Sequence, residues 1–386
     1  MIDTFKKFVK SEQSGGLILI GCTVISILLA NSVYAEGYSK IWDIKLGMSL
    51  LYWINDGLMA IFFLLVGLEI KREVTDGELS TPGQATFPVA AALGGMIFPA
   101  LIYFYLNKGL PSVDGWGIPM ATDIAFALGI MMLMGKRVPV ALKVFLVAVA
   151  VVDDLGAVMV IAVFYTSQIN TIYLIVAAVL FLSLVFLNKK GVERLSPYLI
   201  IGAGLWFCFL MSGVHATIAG VLLALTIPTK QDHDSSPLHI LEHALSTPVA
   251  IFIMPLFAMA NTAIPIEADL GSQLTNPGGL GIILGLAVGK PLGVLLFSIL
   301  VVKLNIATLP HGVSWSGVLS AGFFAGIGFT MSIFIANLAF ASAPESLETS
   351  KISIIAASVI SAVIGMILLG ISVSKKSRDI LKEDQE

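Results

Sequence analysis

The sequence is short of charge. Only 12% of its 386 residues are Asp, Glu, Lys or Arg, whereas 57% are hydrophobic. A soluble domain carries about 25% charged residues. Most of the chain is therefore expected to contact lipid or other apolar helices. The formal net charge of −3, without any basic stripe, also argues against a nucleic-acid partner.

Cysteine is scarce as well. Cys22 and Cys208 are the only two cysteines, and both lie in apolar stretches. This placement is typical of small buried hydrophobic residues rather than of a disulfide or a metal site. A small-residue cleavage site is also missing after the apolar run that starts at Gly15. We therefore expect no cleavable signal peptide, and the run is predicted to be a first membrane helix.

Long apolar runs are abundant. A helix needs about 20 mostly apolar residues to cross a bilayer. The runs predict an all-α polytopic membrane protein of about twelve spans, in which 196–211 and 213–228 could form one hairpin of tilted helices. The predicted spans are 14–32, 50–70, 86–106, 116–134, 140–165, 171–188, 196–211, 213–228, 239–262, 279–302, 316–340 and 352–374.

The distribution of Lys and Arg predicts the orientation of these helices, because basic residues concentrate on the cytoplasmic side. An even number of spans puts both termini on one side. With a cytoplasmic N-terminus, 17 of the 22 Lys and Arg residues lie inside. The others are Lys40, Lys45, Lys108 and Lys351 outside, and Lys290 within the membrane. Both termini are therefore predicted to be cytoplasmic, with the polar loop 229–238 as a cytoplasmic connection between two halves.

A few ionisable residues lie inside the apolar spans, where each is costly and suggests a function. Asp153 and Asp154 are adjacent near the middle of one span. On a helix they point about 100° apart, so both can line one cavity. Two close carboxylates repel when ionised and should exchange protons as a coupled unit. Since hard cations prefer oxygen ligands, the pair predicts a site for either protons or a cation. The alternative is a satisfied buried pair.

Two further spans are predicted to be interrupted. Pro119 and several glycines precede Asp123 in one of them. A broken helix exposes partial charges at membrane depth. There Asp123 can offset positive helix ends and Thr122 can supply oxygen. Glycines also interrupt the segment 322–332, for which close helix packing by small residues is an equal alternative.

Three isolated polar residues complete the set within the spans. Lys290 needs a counter-charge, which Asp153, Asp154 or the negative end of a half-helix could supply. Asp56 could serve an ion path or pair with a helix end. For His215, a satisfied interfacial histidine is favoured over a pH switch.

Polar residues also gather where helices are predicted to end at the cytoplasmic face. Glu69 and Glu73 lie four residues apart on one helix face, with Arg72 between them. Glu242 and His243 lie on another helix. An acidic funnel could attract cations and sense pH, although spacing alone favours an ordinary solvated helix end.

Six short motifs follow one another along the chain. They are FFLLVGLEIKRE at 62–73, ATDIAFA at 121–127, VDDLGA at 152–157, SGVHAT at 212–217, GKPLG at 289–293 and GIGFTMSIF at 326–334. In this order they resemble the NhaA-type Na⁺/H⁺ antiporters of bacteria, and the resemblance runs from about Ser14 to Ile371.

The resemblance implies a single transporter domain over 1–386, with twelve helices in an inverted-repeat fold. Two interrupted helices would cross near Asp123 and Lys290. The core helices would lie at about 86–165 and 279–374, and the interface or panel helices at about 14–70 and 171–262.

The resemblance also implies a function. Asp153 and Asp154, with Thr122, would bind Na⁺ or Li⁺ and protons, and Asp154 would be the more direct cation ligand. Sodium would leave through the bacterial inner membrane in electrogenic exchange for more than one proton, without a cofactor. Positions linked to pH regulation in the family match Glu69, Arg72, Glu73, His215, Glu242 and His243.

Two departures from the family concern regulation and assembly. The segment 32–48 is shorter than in well-known members, where a strand-rich hairpin helps to form a homodimer, so a homodimer stays open here. Ala244 to Ser246 follow His243, where a second histidine can occur.

Two rival functions are considered. A symporter of organic anions should bring more polar or cationic groups to the membrane midplane than Lys290 alone. An intramembrane aspartyl protease needs acids from different helices that face one water, whereas Asp153 and Asp154 are adjacent. The pattern therefore favours an antiporter that is not an enzyme.

Overall fold

The fold follows the apolar runs of the sequence. The computed structural model describes residues 14–135, 138–166, 169–230, 232, 235–265 and 270–383, with side chains between 15 and 372. The predicted orientation also uses basic residues that lie outside the described residues or have side chains outside them. These are Lys6, Lys7, Lys10, Lys136, Arg137, Lys375, Lys376, Arg378 and Lys382.

Sixteen helices and one pair of very short strands make up the described chain. The helices are α1 (Ser14–Ala30), α2 (Ala35–Trp42), α3 (Leu50–Thr75), α4 (Pro82–Asn107), the 3₁₀ segment α5 (Pro111–Met120), α6 (Ile124–Met132), α7 (Val140–Phe164), α8 (Thr171–Lys189), α9 (Leu195–Ser212), α10 (Ile218–Thr226), α11 (Pro237–Asn261), α12 (Leu270–Thr275), α13 (Pro277–Lys303), α14 (Trp315–Ala325), α15 (Phe329–Ala339) and α16 (Pro344–Glu383). Strands β1 (Lys45–Leu46) and β2 (Met48–Ser49) pair antiparallel.

The all-α polytopic prediction is confirmed. Within the described residues, eight helices are long and apolar enough to cross a membrane, and three bent helix pairs raise the number to 11. The bends are 120° between α1 and α2, 48° between α5 and α6, and 46° between α14 and α15. The last two are the predicted interruptions.

One predicted span is much shorter than expected. The segment 213–228 contains only α10, which has nine residues and is about 14 Å long at 1.5 Å per residue. The hydrocarbon core is about 30 Å thick. A turn at Gly213, whose φ of 82° is left-handed, separates α9 from α10 and delays the start of α10. The predicted span 14–32 contains the 17-residue α1, which counts as a span candidate only together with α2. Each of the remaining predicted spans contains a long helix or a bent pair.

The helices form two compact units. Unit 1 takes in the described residues of 1–20, 78–157 and 266–386, and unit 2 those of 21–77 and 158–265. In unit 1, α4 and α13 lie very close at Gly94 and Gly293, where a Cβ on either glycine would meet a carbonyl of the other. This close approach fixes Lys290, one turn earlier on α13, inside the unit.

Unit 2 contains α2, α3 and α8 to α11, together with the last parts of α1 and α7. Its α3 and α10 are joined by Lys71, whose Nζ donates to the carbonyls of Leu225 at 2.9 Å and Ile227 at 2.5 Å. Lys71 therefore caps the C-terminus of α10. The segment 32–48 contains α2, the two-residue strand β1 and Met48, the first residue of the two-residue strand β2.

Candidate functional site

Two spans of unit 1 break at the same place. Residues 121–123 separate α5 from α6, and residues 326–328 separate α14 from α15. The backbone N–H of Asp123 donates to the carbonyl of Ile327 at 2.8 Å, which joins the two breaks. Four half-helix ends therefore meet, two with partial positive charge and two with partial negative charge.

Asp123 lies at both positive ends. Its Oδ1 accepts a hydrogen bond from the N–H of Phe126 at 2.9 Å and caps α6. Its Oδ2 accepts from the N–H of Thr330 at 3.1 Å, at the start of α15, and from the hydroxyl of the same residue. One buried carboxylate thus satisfies donors at two helix starts. Thr330 was not among the predicted site residues, although it belongs to the glycine-rich motif.

Lys290 lies at a negative end. Its Nζ is 2.8 Å from Oδ2 of Asp153, and both side chains are 0% exposed. The same ammonium donates to the carbonyl of Met120, the last residue of α5. Of the counter-charges that the sequence left open, the structure therefore brings Asp153 and a half-helix end to Lys290.

Thr122 connects Asp153 to the second break. Its hydroxyl lies 2.8 Å from Oδ2 of Asp153 and 2.9 Å from the carbonyl of Ala325, at the end of α14. A hydroxyl has a single proton, so it can donate to only one of these acceptors at a time. The hydroxyl can therefore turn towards α14 if Asp153 takes another partner.

The carboxylate pair lies on α7, fully inside unit 1. Asp153 is 0% and Asp154 1% exposed. Among the described residues, Oδ1 of Asp153 accepts no hydrogen bond. Close by are the Thr122 hydroxyl and the half-helix carbonyls, and these are the oxygen donors that hard cations prefer. No three His, Cys, Asp or Glu side chains form a metal cluster in the part of the chain that is described.

A second group of charges lies in unit 2, where α3 meets α11. Arg72 contacts Oε1 of Glu73 through Nη1 and Oε1 of Glu242 through Nε, each at 2.9 Å. Glu69 lies one turn before Glu73 on α3 and is partly buried. The structure therefore brings four of the predicted regulatory residues together.

The histidine at this group is not the predicted one. His243 is exposed, whereas His239 lies with Nδ1 3.9 Å from Oε2 of Glu242 and Nε2 4.0 Å from Oδ2 of Asp76. His239 is three residues before Glu242 on α11 and so shares its helix face. That spacing was the signal in the sequence that could have identified it.

The two remaining polar candidates lie apart from these groups, within unit 2. Nε2 of His215 lies 2.7 Å from the carbonyl of Tyr165. Asp56 lies in a π-helical turn of α3, where its backbone carbonyl accepts from the indole N–H of Trp206 at 3.3 Å. His215 thus has the hydrogen-bond partner expected of a satisfied histidine.

Comparison with known proteins gives one consistent result. The family model described as Na⁺/H⁺ antiporter 1 matches residues 6–369. The chain is 52% identical over 367 residues to the Na⁺/H⁺ antiporter NhaA 1 of Flavobacterium johnsoniae, an alignment that covers 95% of this chain and 96% of that protein. It is 50% identical over 381 residues to the Na⁺/H⁺ antiporter NhaA of Vibrio campbellii, covering 98% and 97%.

Proposed function

The chain belongs to the Na⁺/H⁺ antiporter 1 family, and on that premise we propose that it exports sodium in exchange for protons by alternating access. The family confirms the resemblance found in the sequence motifs. It also decides against an intramembrane protease, since the named relatives are transporters. The membrane-spanning helices and the bacterial relatives make the chain a multi-pass bacterial membrane protein.

The observation that carries the proposal is the buried ion pair between Asp153 and Lys290, beside Asp154. A lone ionised group here would be very costly, and the pair offsets that cost. A Na⁺ ion that binds Asp153 takes over the charge that Lys290 now balances. Lys290 then keeps the Met120 carbonyl at the end of α5 as its partner. Cation and ammonium therefore compete for one carboxylate.

Protons compete in the same way. When the cation leaves, Asp153 and Asp154 can each take a proton. The site then never contains two ionised carboxylates without a compensating positive charge. Two acids can accept two protons in exchange for one monovalent cation. The exchange is then electrogenic, and the membrane potential helps to drive it. Li⁺ is a second substrate because it is a hard monovalent cation that also prefers oxygen ligands.

The charges of the half-helix ends are balanced by side chains, which allows a cation to bind at membrane depth. Asp123 balances the positive starts of α6 and α15, and Lys290 balances the negative end of α5. With these ends neutralised, the free energy of a cation at Asp153 and Asp154 depends mainly on the two carboxylates. Thr122 supplies a further oxygen, because its hydroxyl lies beside Oδ2 of Asp153.

The charged group in unit 2 is assigned to pH regulation. Arg72 contacts both Glu73 and Glu242, with Glu69 beside them. Protonation of either acid would release Arg72 from one partner and alter how α3 packs on α11. His215, which is bonded to the chain at Tyr165, and the exposed His243 contribute less than His239.

The two units divide the work in this proposal. Unit 1 holds the crossing helices and acts as the ion-binding core, and unit 2 acts as the panel. Both termini are cytoplasmic, as the Lys and Arg distribution predicts. Contact with a second protomer, if the chain dimerises, would not depend on a long strand hairpin, because β1 and β2 have two residues each.

Everted membrane vesicles test the exchange. Addition of Na⁺ should collapse a pre-formed proton gradient with the wild-type protein but not with Asp154→Asn. The matched control is Asp43→Asn, which makes the same change at an exposed position and should leave the collapse intact. Equal activity of Asp154→Asn and wild type would refute the site. A gradient that collapses with an organic anion and not with Na⁺ would support the symporter.

A further inference from the structure

A fully buried hydroxyl lies beside the second helix break, without a hydrogen-bond partner among the described residues. Ser361, on α16, is 0% exposed, and its Oγ forms no hydrogen bond with any residue that the structure describes. An unsatisfied buried hydroxyl destabilises the state that contains it. Ser358, one turn earlier on the same helix, has a partner, because its Oγ accepts from the N–H of Phe329 at 3.2 Å.

The Ser361 hydroxyl faces the Cα of Gly326, the first residue of the break. A methyl group on Gly326 would lie 3.0 Å from Oγ of Ser361 and would also meet the carbonyl oxygen of Leu286. The hydroxyl donor on α16 and the carbonyl acceptor on α13 therefore both lie close to one point beside Gly326. Only a residue without a side chain fits there.

The carbonyl of Leu286 lacks its regular helical donor. It belongs to the π-helical turn Gly285–Gly289, in which the carbonyl of Gly285 accepts from the N–H of Lys290, five residues later. The same pattern pairs Leu286 with Pro291, which has no N–H to donate. A donor and an acceptor thus lie close to the same side of Gly326.

We propose that Ser361 is a positioning residue of the transport cycle, whose hydroxyl is unbonded in the state described here and donates to the Leu286 carbonyl in the opposite access state. The inference rests on the proposed antiport by alternating access. Gly326 is free to withdraw because it lies at a helix break, whereas Ser358 holds the far side of that break. The hydroxyl destabilises the described state and stabilises the opposite one, so it lowers the free energy needed to reach the opposite state.

Two serine-to-alanine variants test this inference. Ser361→Ala removes the unbonded hydroxyl. The matched control is Ser320→Ala, because Ser320 is equally buried in unit 1 and its Oγ already donates to the carbonyl of Gly365 at 3.0 Å. The two measurements are the midpoint of thermal unfolding in detergent and the Na⁺-driven proton exchange rate in proteoliposomes at saturating Na⁺.

The two variants should shift the unfolding midpoint in opposite directions, and only Ser361→Ala should slow the exchange. Ser361→Ala should raise the unfolding midpoint by about 1–3 °C and lower the exchange rate roughly tenfold, the factor that corresponds to about 1.4 kcal/mol. Ser320→Ala should lower the midpoint and leave the exchange rate within about twofold, because its bond joins α14 and α16 away from the break.

Three results would overturn parts of this account. A lower midpoint for Ser361→Ala would mean that its hydroxyl is bonded in the described state, and an unchanged exchange rate would mean that it has no partner in the opposite state. Either outcome refutes the role of Ser361 and leaves antiport intact. A wild-type protein without Na⁺-driven exchange would overturn the proposed function itself.

Discussion

The ion pair of unit 1 and the ion pairs of unit 2 have nearly the same geometry and different surroundings. Lys290 lies 2.8 Å from Asp153, and both side chains are 0% exposed. Arg72 lies 2.9 Å from Glu73 and from Glu242, but its side chain is 34% exposed. Burial rather than distance therefore distinguishes the two groups.

This difference suits the two groups to different tasks. A buried pair cannot lose one partner without leaving an uncompensated charge in a medium of low dielectric constant. In the proposed antiport, exchange at Asp153 would therefore be a substitution of one cation for another, or a protonation. A partly exposed pair is screened by water and salt, so its strength changes gradually with conditions. In the same proposal the first arrangement would couple ions, and the second would set how readily helices move.

The largest expected effect is the loss of Lys290. Lys290→Met should lower the free energy of unfolding by about 3–5 kcal/mol because it leaves Asp153 buried without its partner. Denaturation in detergent at neutral pH would measure this change. The double variant Lys290→Met, Asp153→Asn should recover most of the loss, since neither charge remains. Equal losses in the single and double variants would show that the pair is not energetically coupled.

An intermediate effect is expected at Asp123. Asp123→Ala removes the cap from the starts of both α6 and α15, which should cost about 1 kcal/mol for each, or about 2 kcal/mol in total. Asp123→Asn keeps a side-chain oxygen and should lose less. The same unfolding assay applies, with the exposed Asp43→Ala as control. If Asp123→Ala were no less stable than that control, the capping role would be refuted.

The smallest effect on stability is expected in unit 2. Arg72→Ala should lower the free energy of unfolding by at most about 1 kcal/mol, because the side chain is partly hydrated. The difference from wild type should shrink in 1 M choline chloride, where screening acts over about 3 Å. A loss as large as that of Lys290→Met, independent of salt, would contradict the comparison.

His239 provides a pH test of the same group. Its attraction to Asp76 and Glu242 exists only when the imidazole carries a proton. His239→Asn should therefore change the pH dependence of Na⁺/H⁺ exchange, whereas the exposed His243→Asn should not. If only His243→Asn altered the pH profile, His243 would be the regulatory histidine, as the family resemblance implies.

Much of this architecture could be predicted from the sequence, because a membrane constrains it strongly. Apolar length indicated the spans, and Pro119 with its neighbouring glycines indicated the break before Asp123. The partners could be predicted only as alternatives for Lys290, and not at all for Asp123. The contact between Lys290 and Asp153 joins helices that are distant in sequence, and so does the contact of Asp123 with Thr330. His239 could have been chosen over His243 from its i, i+3 spacing to Glu242, but its approach to Asp76 depends on how α3 and α11 pack.

The central claim is that Asp153 and Asp154 hold either protons or a cation. Proton release from purified protein in weakly buffered detergent tests it most directly, because this measurement needs neither a membrane nor a gradient. Addition of Na⁺ to the wild type should release more than one proton for each ion bound, and Asp153→Asn with Asp154→Asn should abolish the release. Binding of Na⁺ to the wild type without any proton release would contradict the claim.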